Sequence, residues 1–301
     1  MTAELCTRII QELTRRYPIC RRVRLTTTAF DRPVWALTVG NGPRKVLFTA
    51  AHHANEWITT PILLKFAEEL AEAAETGGKI FGVDANTIVN QVTVHLVPMV
   101  NPDGVDLVTG AIQPGQLQYE AARNLADKYP QSPFPEGWKA NLLGVDLNLQ
   151  YPAGWLRARE IKFSQGYTRP GPRDYVGRAP LNQRESIALA EYTEDVDPAL
   201  VLAYHTQGEV IYWQFGDREV PGARELGEEF ARLSGYELAD TPYESAFAGY
   251  KDWFIQEFDR PGYTIEAGVG ENPLPLDQFA DIYRKNLGIL VTAATGLPGG
   301  A

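Results

Sequence analysis

Apolar positions in this chain follow two rhythms. Short β-prone apolar runs recur at 22–27, 34–39, 46–51, 92–97, 199–204 and 263–265. Each reads as a strand, and the continuous runs as buried ones. Between several of them the spacing changes to three and four. Thr2 can cap a helix reaching Arg16, with Leu5, Ile9, Ile10 and Leu13 on one face, and Tyr17-Pro18 ends it. Thr60, Leu63, Leu64, Phe66, Leu70 and Ala71 predict a helix to Thr76 that Gly77-Gly78 stops. Further helices are predicted over 181–195, 221–233 and 276–294, the last before a glycine-rich tail. Asn182 and Glu185 make a capping-box pattern at the first of these, and Gly235 closes the second. Phe30-Asp31-Arg32-Pro33, Gly40-Asn41-Gly42 and Asn101-Pro102-Asp103-Gly104 read as turns.

Two stretches keep neither rhythm. Residues 106–143 are polar, with one short helix expected near 120–128, and 153–179 is a loop rich in Arg, Tyr, Gly and Pro. Loops of that length in a compact domain are often functional. Strands alternating with helices predict an α/β fold, one sheet covered on both faces, as a single domain over 1–301.

Composition narrows the function classes. The chain has 301 residues, 44% hydrophobic and 22% charged, with a net charge of -10. An acidic chain lacks the basic footprint of a nucleic-acid or anionic-membrane binder. No run approaches the ~18 apolar residues of a membrane span. The first helix lacks the basic start and apolar core of a signal peptide, so a cytoplasmic location is expected. Cys6 and Cys20 are expected to be two free thiols, as in a reducing compartment.

The chemistry concentrates at strand ends. Val46 to Pro61, VLFTAAHHANEWITTP, runs from a buried strand straight into His52, His53, Asn55, Glu56 and Trp57. Open α/β sheets place ligands at such carboxyl ends. His53 and Glu56, three residues apart, can face one ion, and a catalytic zinc takes three protein ligands with one position open. The alternative is a strand-end histidine with a glutamate complementing a helix dipole. His53 is preferred to His52, which points to the other face if the strand continues. Val201 to Gln207, VLAYHTQ, offers His205 as a third donor in the same setting. Tyr263 to Gly268, YTIEAG, ends a strand on Glu266, a carboxylate placed to act as a base.

HHANEW, GVDLN, YHTQ and TIEAG, in this order, resemble the motifs of the zinc carboxypeptidases over nearly the whole chain. The resemblance implies a mixed central β-sheet flanked by helices. It implies one Zn2+ held by His53, Glu56 and His205, with Glu266 as catalytic base. Two histidines and a glutamate are the ligand set known for that family's catalytic zinc. Lys139 stands where an arginine usually polarises the scissile carbonyl, and supplies charge without a planar fork. Asn148 matches the motif's asparagine. Leu149 follows it where an arginine usually holds the substrate's C-terminal carboxylate, and losing that charged contact costs about 1.5–3 kcal/mol.

HHANEWITTP and GVDLNLQYPAGW are similar to the γ-D-glutamyl-L-diamino acid endopeptidase branch. The implied substrate is a peptide or muropeptide, cut between γ-D-Glu and diaminopimelate or Lys. With no leader and no wall-binding module visible in this sequence, the resemblance implies an intracellular enzyme acting on soluble muropeptides, or one released at sporulation or lysis. Tyr243 to Trp253, YESAFAGYKDW, resembles the substrate-capping segment, with Tyr243 as the mobile tyrosine and Lys251 at the pocket floor. Arg169, Arg173 and Arg178 are further cations able to meet carboxylates, although solvent exposure is expected for at least two. An ordinary metallocarboxypeptidase and a non-enzymatic wall-peptide binder are the competing readings.

Overall fold

The structure is a computed structural model and describes residues 1–296; the glycine-rich tail expected after 294 lies largely outside the described residues. The strands in chain order are β1 Cys20–Thr27, β2 Pro33–Val39, β3 Arg44–Ala50, β4 Lys79–Ile80, β5 Val83–Asp84, β6 Val92–Val97, β7 Val201–His205, β8 Val210–Tyr212, β9 Glu237–Ala239 and β10 Gly262–Glu266. The helices are α1 Ala3–Arg16, α2 Thr59–Thr76, α3 Ala85–Gln91, α4 Pro102–Val108, α5 Leu117–Ala126, α6 Trp155–Ser164, α7 Arg184–Val196, α8 Ala223–Ser234, α9 Tyr250–Phe258 and α10 Phe279–Thr295.

Eight strands form one mixed sheet in the order β1-β2-β6-β3-β7-β10-β8-β9. The middle strands β6, β3, β7 and β10 run parallel, while β1, β2 and β8 add antiparallel pairings. Strand alternation divides the core cleanly. Phe48, Leu202 and Tyr204 pack with α1, α2, α3, α8 and α10 on one face. Leu47, Val201 and Ala203 pack with α7 and α9 on the other. Both faces being covered explains why β3 is buried from Val46 to Ala50, with Thr49 its one polar residue there. At one edge, β1 carries Arg21, Arg22 and Arg24 exposed, and these charges discourage another strand from adding there.

Helix boundaries largely follow their local signals. The Thr2 side chain accepts from Leu5 N at the start of α1, and Gly77 ends α2 at φ 68. The buried face of α1 is Ala3, Cys6, Ile10 and Leu13; Leu5 stays exposed. Three expectations fail. Asn101-Pro102-Asp103-Gly104 is not a turn but the start of α4: Asn101 accepts from Gly104 N and Pro102 occupies the first turn. Turn and helix-start chemistry use the same residue types, so the two are confusable. The 153–179 stretch contains α6, whose buried residues Trp155, Ala158 and Lys162 leave no apolar stripe to detect. Helix α7 begins at Arg184 behind Gln183, without a side-chain cap, so the Asn182–Glu185 box does not form. The 106–143 stretch, though polar on average, has its own apolar cluster around Ile112, Tyr119, Ala122 and Trp138. Cys6 and Cys20 are buried and free.

Candidate active site

Chain order and sheet order differ in a way that creates the site. From β3 the chain crosses to β6 on one side and later to β7 on the other. The crevice beyond the carboxyl ends at such a switch point is where open α/β sheets hold ligands. β3, β7 and β10 lie side by side and parallel, with Ala50 level with Tyr204 and His205 level with Glu266. Residues about 150 and 210 positions apart therefore end in one place.

Beyond β3 the chain turns sharply. Ala51 adopts φ 50, and a short 3-10 turn, Ala54–Glu56, follows His53. Thr59 braces the turn: its hydroxyl accepts from Ala51 N and donates to Glu56 O. Asn101 ties it to a neighbouring segment, its side-chain amide donating to the carbonyls of His52, Lys139 and Ala140. Ala54 N also donates to Lys139 O.

The result is a convergent donor set. His53 Nδ1 lies 2.9 Å from Glu56 Oε1, and His205 Nδ1 lies 2.9 Å from Glu56 Oε2 and 3.2 Å from His53 Nδ1. All three residues are buried and their ligand atoms fall within 4.8 Å of one another. Metal–ligand bonds of roughly 2.0–2.1 Å at tetrahedral angles separate two ligands by about 3.3 Å. The 3.2 Å gap between the two imidazole nitrogens matches that edge, and each imidazole meets one Glu56 oxygen, so the three side chains converge on a space that one ion can fill. Burial, the largest single influence, works against a charged His53 imidazole, yet the Glu56 and Asp146 carboxylates together outweigh it and hold the group up to about 9. The same field favours a cation between them. Burial instead lowers His205.

His52 is not part of the set. It is fully buried, stacks on His205 at 5.7 Å, and its Nε2 meets Tyr151 OH at 3.3 Å. It packs against His205 and stays outside the candidate ligand set. His95 is remote, paired with Tyr192.

The remaining expected residues divide. Lys139 Nζ is 3.3 Å from Glu56 Oε1. Glu266 lines the same cleft, and burial, with the Glu56 charge nearby, pushes its carboxyl up to about 8. Asn148 also lines it; its Oδ1 accepts from Tyr250 N, leaving the amide nitrogen to donate. Lys251 reaches the cleft wall, but its ammonium already donates to Gln214 O and Thr241 Oγ1 and pairs with Asp252. Tyr243 is not brought to the cleft. It is exposed, its hydroxyl accepts from Arg157 Nε, and its ring packs edge-on against Phe247.

Sequence reasoning passed over Asp146 as a site residue, although it sits inside the GVDLN motif. Its Oδ1 meets His53 Nε2 at 3.2 Å and accepts from Asn148 N, and its Oδ2 accepts from Asp174 N. Burial opposes its charge, but His53 and Lys139 hold it well below the usual carboxylate range. Such a partner fixes a ligating imidazole's orientation and tautomer. Lys162 and Asp174 were missed as well, because nothing in a loop-like stretch ties them to the strand ends.

Comparison with known proteins agrees with this geometry. The profile of the zinc carboxypeptidase family matches residues 6–287. The chain is 44% identical to gamma-D-glutamyl-L-diamino acid endopeptidase 1 of Lysinibacillus sphaericus over 286 residues, 94% of this chain and 69% of that protein. The fold matches bovine thrombin-activatable fibrinolysis inhibitor, solved with tick carboxypeptidase inhibitor, at TM-score 0.75 and 15% identity, over 98% of this chain and 96% of that one. It matches murein-tripeptide amidase MpaA of Escherichia coli O157 at TM-score 0.56 and 18% identity, over 93% of each chain.

Proposed function

The chain belongs to the zinc carboxypeptidase family, and from that premise we propose that it hydrolyses the amide bond between γ-D-glutamate and a diamino acid in bacterial peptidoglycan peptides. It is a zinc metallopeptidase acting on a peptide substrate. The single catalytic domain spans 1–301.

His53, Glu56 and His205 hold the ion in this reading. A zinc held there would supply Lewis-acid polarisation of the scissile carbonyl and a water with a pKa of about 7. Glu266 takes a proton from the attacking water and passes it to the leaving amine. Lys139 offers positive charge to the developing oxyanion, and its closeness to Glu56 supports that role. Asp146 keeps His53 oriented. Asn148 donates to the substrate, Lys251 braces the wall beside it, and Tyr243 reaches it only after leaving Arg157.

One observation carries the substrate choice. The cleft presents buried, apolar Leu149 directly after Asn148, where releasing an ordinary C-terminal residue calls for a cation on its carboxylate. The 44% identity to a named γ-D-glutamyl-L-diamino acid endopeptidase supports the same choice. Buried free Cys6 and Cys20 suit a reducing, cytoplasmic setting. Among the described residues, no helix is long and apolar enough to cross a membrane.

The test compares hydrolysis of L-Ala-γ-D-Glu-diaminopimelate with that of N-blocked α-linked dipeptides, with and without chelator. The muropeptide is expected to be cut between D-Glu and diaminopimelate, with chelator abolishing turnover and zinc restoring it. Preference for the α-linked dipeptides would make the protein an ordinary metallocarboxypeptidase.

A further inference from the structure

Of the five arginines in the 153–179 stretch, three follow α6, and the structure separates them. Arg169 and Arg178 are exposed, whereas Arg173 turns into the cleft. Its backbone is fixed against the site. Pro172 O accepts from both Lys139 N and Ala140 N, at 2.8 and 2.9 Å. Asp174, held at φ 63, donates its backbone N–H to Asp146 Oδ2. One carboxylate, Asp146, therefore orients a metal ligand and anchors this segment.

The charges there do not balance. Arg173 Nε donates to Asp174 Oδ2 at 2.7 Å, and Lys162 Nζ meets Asp174 Oδ1 at 2.7 Å. Two cations share one carboxylate. Among the described residues, Arg173's two terminal nitrogens have no hydrogen-bond partner, and its side chain is 42% exposed, so a ligand can reach them. Lys251, which also lines the cleft, differs: it is buried and its ammonium is already engaged. Arg173 lines both the cleft at the metal ligands and an adjoining one bounded by Asn55, Gln207 and Asn272, with Glu266 at the border of the two. Lys162 lines the first alone.

We propose that Arg173, backed by Lys162 and aimed by Asp174, determines specificity by binding one of two substrate carboxylates beside the scissile amide, the free α-carboxylate of the γ-linked glutamate or the carboxylate that diaminopimelate has and lysine lacks. This rests on the function proposed above. A γ-linked glutamate keeps its α-carboxylate free because its side-chain carboxyl is in the bond being cut, and diaminopimelate carries one carboxylate more than lysine. Either satisfies a guanidinium fork whose terminal donors are open.

The experiment uses the zinc enzyme and four substrates: L-Ala-γ-D-Glu-diaminopimelate, the same peptide with the glutamate α-carboxylate amidated, its lysine counterpart, and the peptide with both changes. Arg173→Gln is expected to lower kcat/KM about 10- to 100-fold on the first, the scale of a charged hydrogen bond, mainly through KM. On the substrate lacking the carboxylate that Arg173 holds, the loss is expected to be below about threefold. Which substrate is insensitive identifies the carboxylate. Arg173→Lys should recover part of the loss, and Arg178→Ala, in the same stretch, should behave as wild type. Wild type provides a second readout independent of any variant's folding: removing the recognised carboxylate should cost it the same 10- to 100-fold. If wild type treats all four peptides alike, or Arg173→Gln loses equally on all four, the inference is overturned while the hydrolase reading stands. If wild type cuts none of them, both are overturned.

Discussion

Glu185 lies at the start of α7, 3% exposed, and its carboxyl is pushed up to about 7, chiefly by burial and further by the Asp103 charge. Its place in the first helical turn favours an anion, but burial wins. The unfolded chain releases this proton near the ordinary 4.5, whereas the folded chain keeps it until about 7. The folded state therefore binds more protons between those values, and its stability falls as pH rises through that window. The gap is worth on the order of 3 kcal/mol, of which about 2–3 kcal/mol falls between pH 5 and pH 8. Glu185→Gln keeps the shape and removes the titration. Urea unfolding of both proteins, followed by tryptophan fluorescence at fixed zinc, gives the stability difference at each pH. Other titrating groups and zinc binding cancel in that difference. The variant is expected to gain about 2–3 kcal/mol relative to wild type on going from pH 5 to pH 8. A difference independent of pH would refute a buried, protonated Glu185.

Glu266→Gln should keep stoichiometric zinc by metal analysis while kcat falls about 10²- to 10⁴-fold; an active variant would remove Glu266 from the chemistry. Asp146→Asn should weaken zinc about 10- to 100-fold in a chelator competition, because an amide cannot accept from His53, Asn148 and Asp174 together. Lys251→Met should lose roughly 3–5 kcal/mol of stability by leaving the buried Asp252 carboxylate without its cation, the Gly249 N–H alone remaining to it; an unchanged unfolding midpoint would mean that the ion pair contributes nothing to stability.

Local chemistry alone determined much of this protein. The continuous apolar runs marked β3, β7 and β10, because a strand covered on both faces has no polar positions to spare. Glycine at φ 68 ended α2 and a threonine hydroxyl began α1, since both are contacts within one helical turn. His53, Glu56, His205 and Glu266 were legible because abrupt polar residues after buried strands have few structural uses. Where signals depended on distant partners the sequence was silent or misleading. Asn101 resembled a turn residue but caps α4 and gathers three carbonyls. Helix α6 has no amphipathic stripe, so nothing announced that Lys162 would reach Asp174. Lys251 and Tyr243 sit where the motif placed them along the chain, yet Asp252 and Arg157 decide what their polar ends meet. Only the sheet order, with β7 inserted between β3 and β10, brings donors far apart in the chain within about one tetrahedral edge of each other. Periodicity encodes which face a residue takes; which strands become neighbours is set by the crossovers and by how the helices pack over both faces.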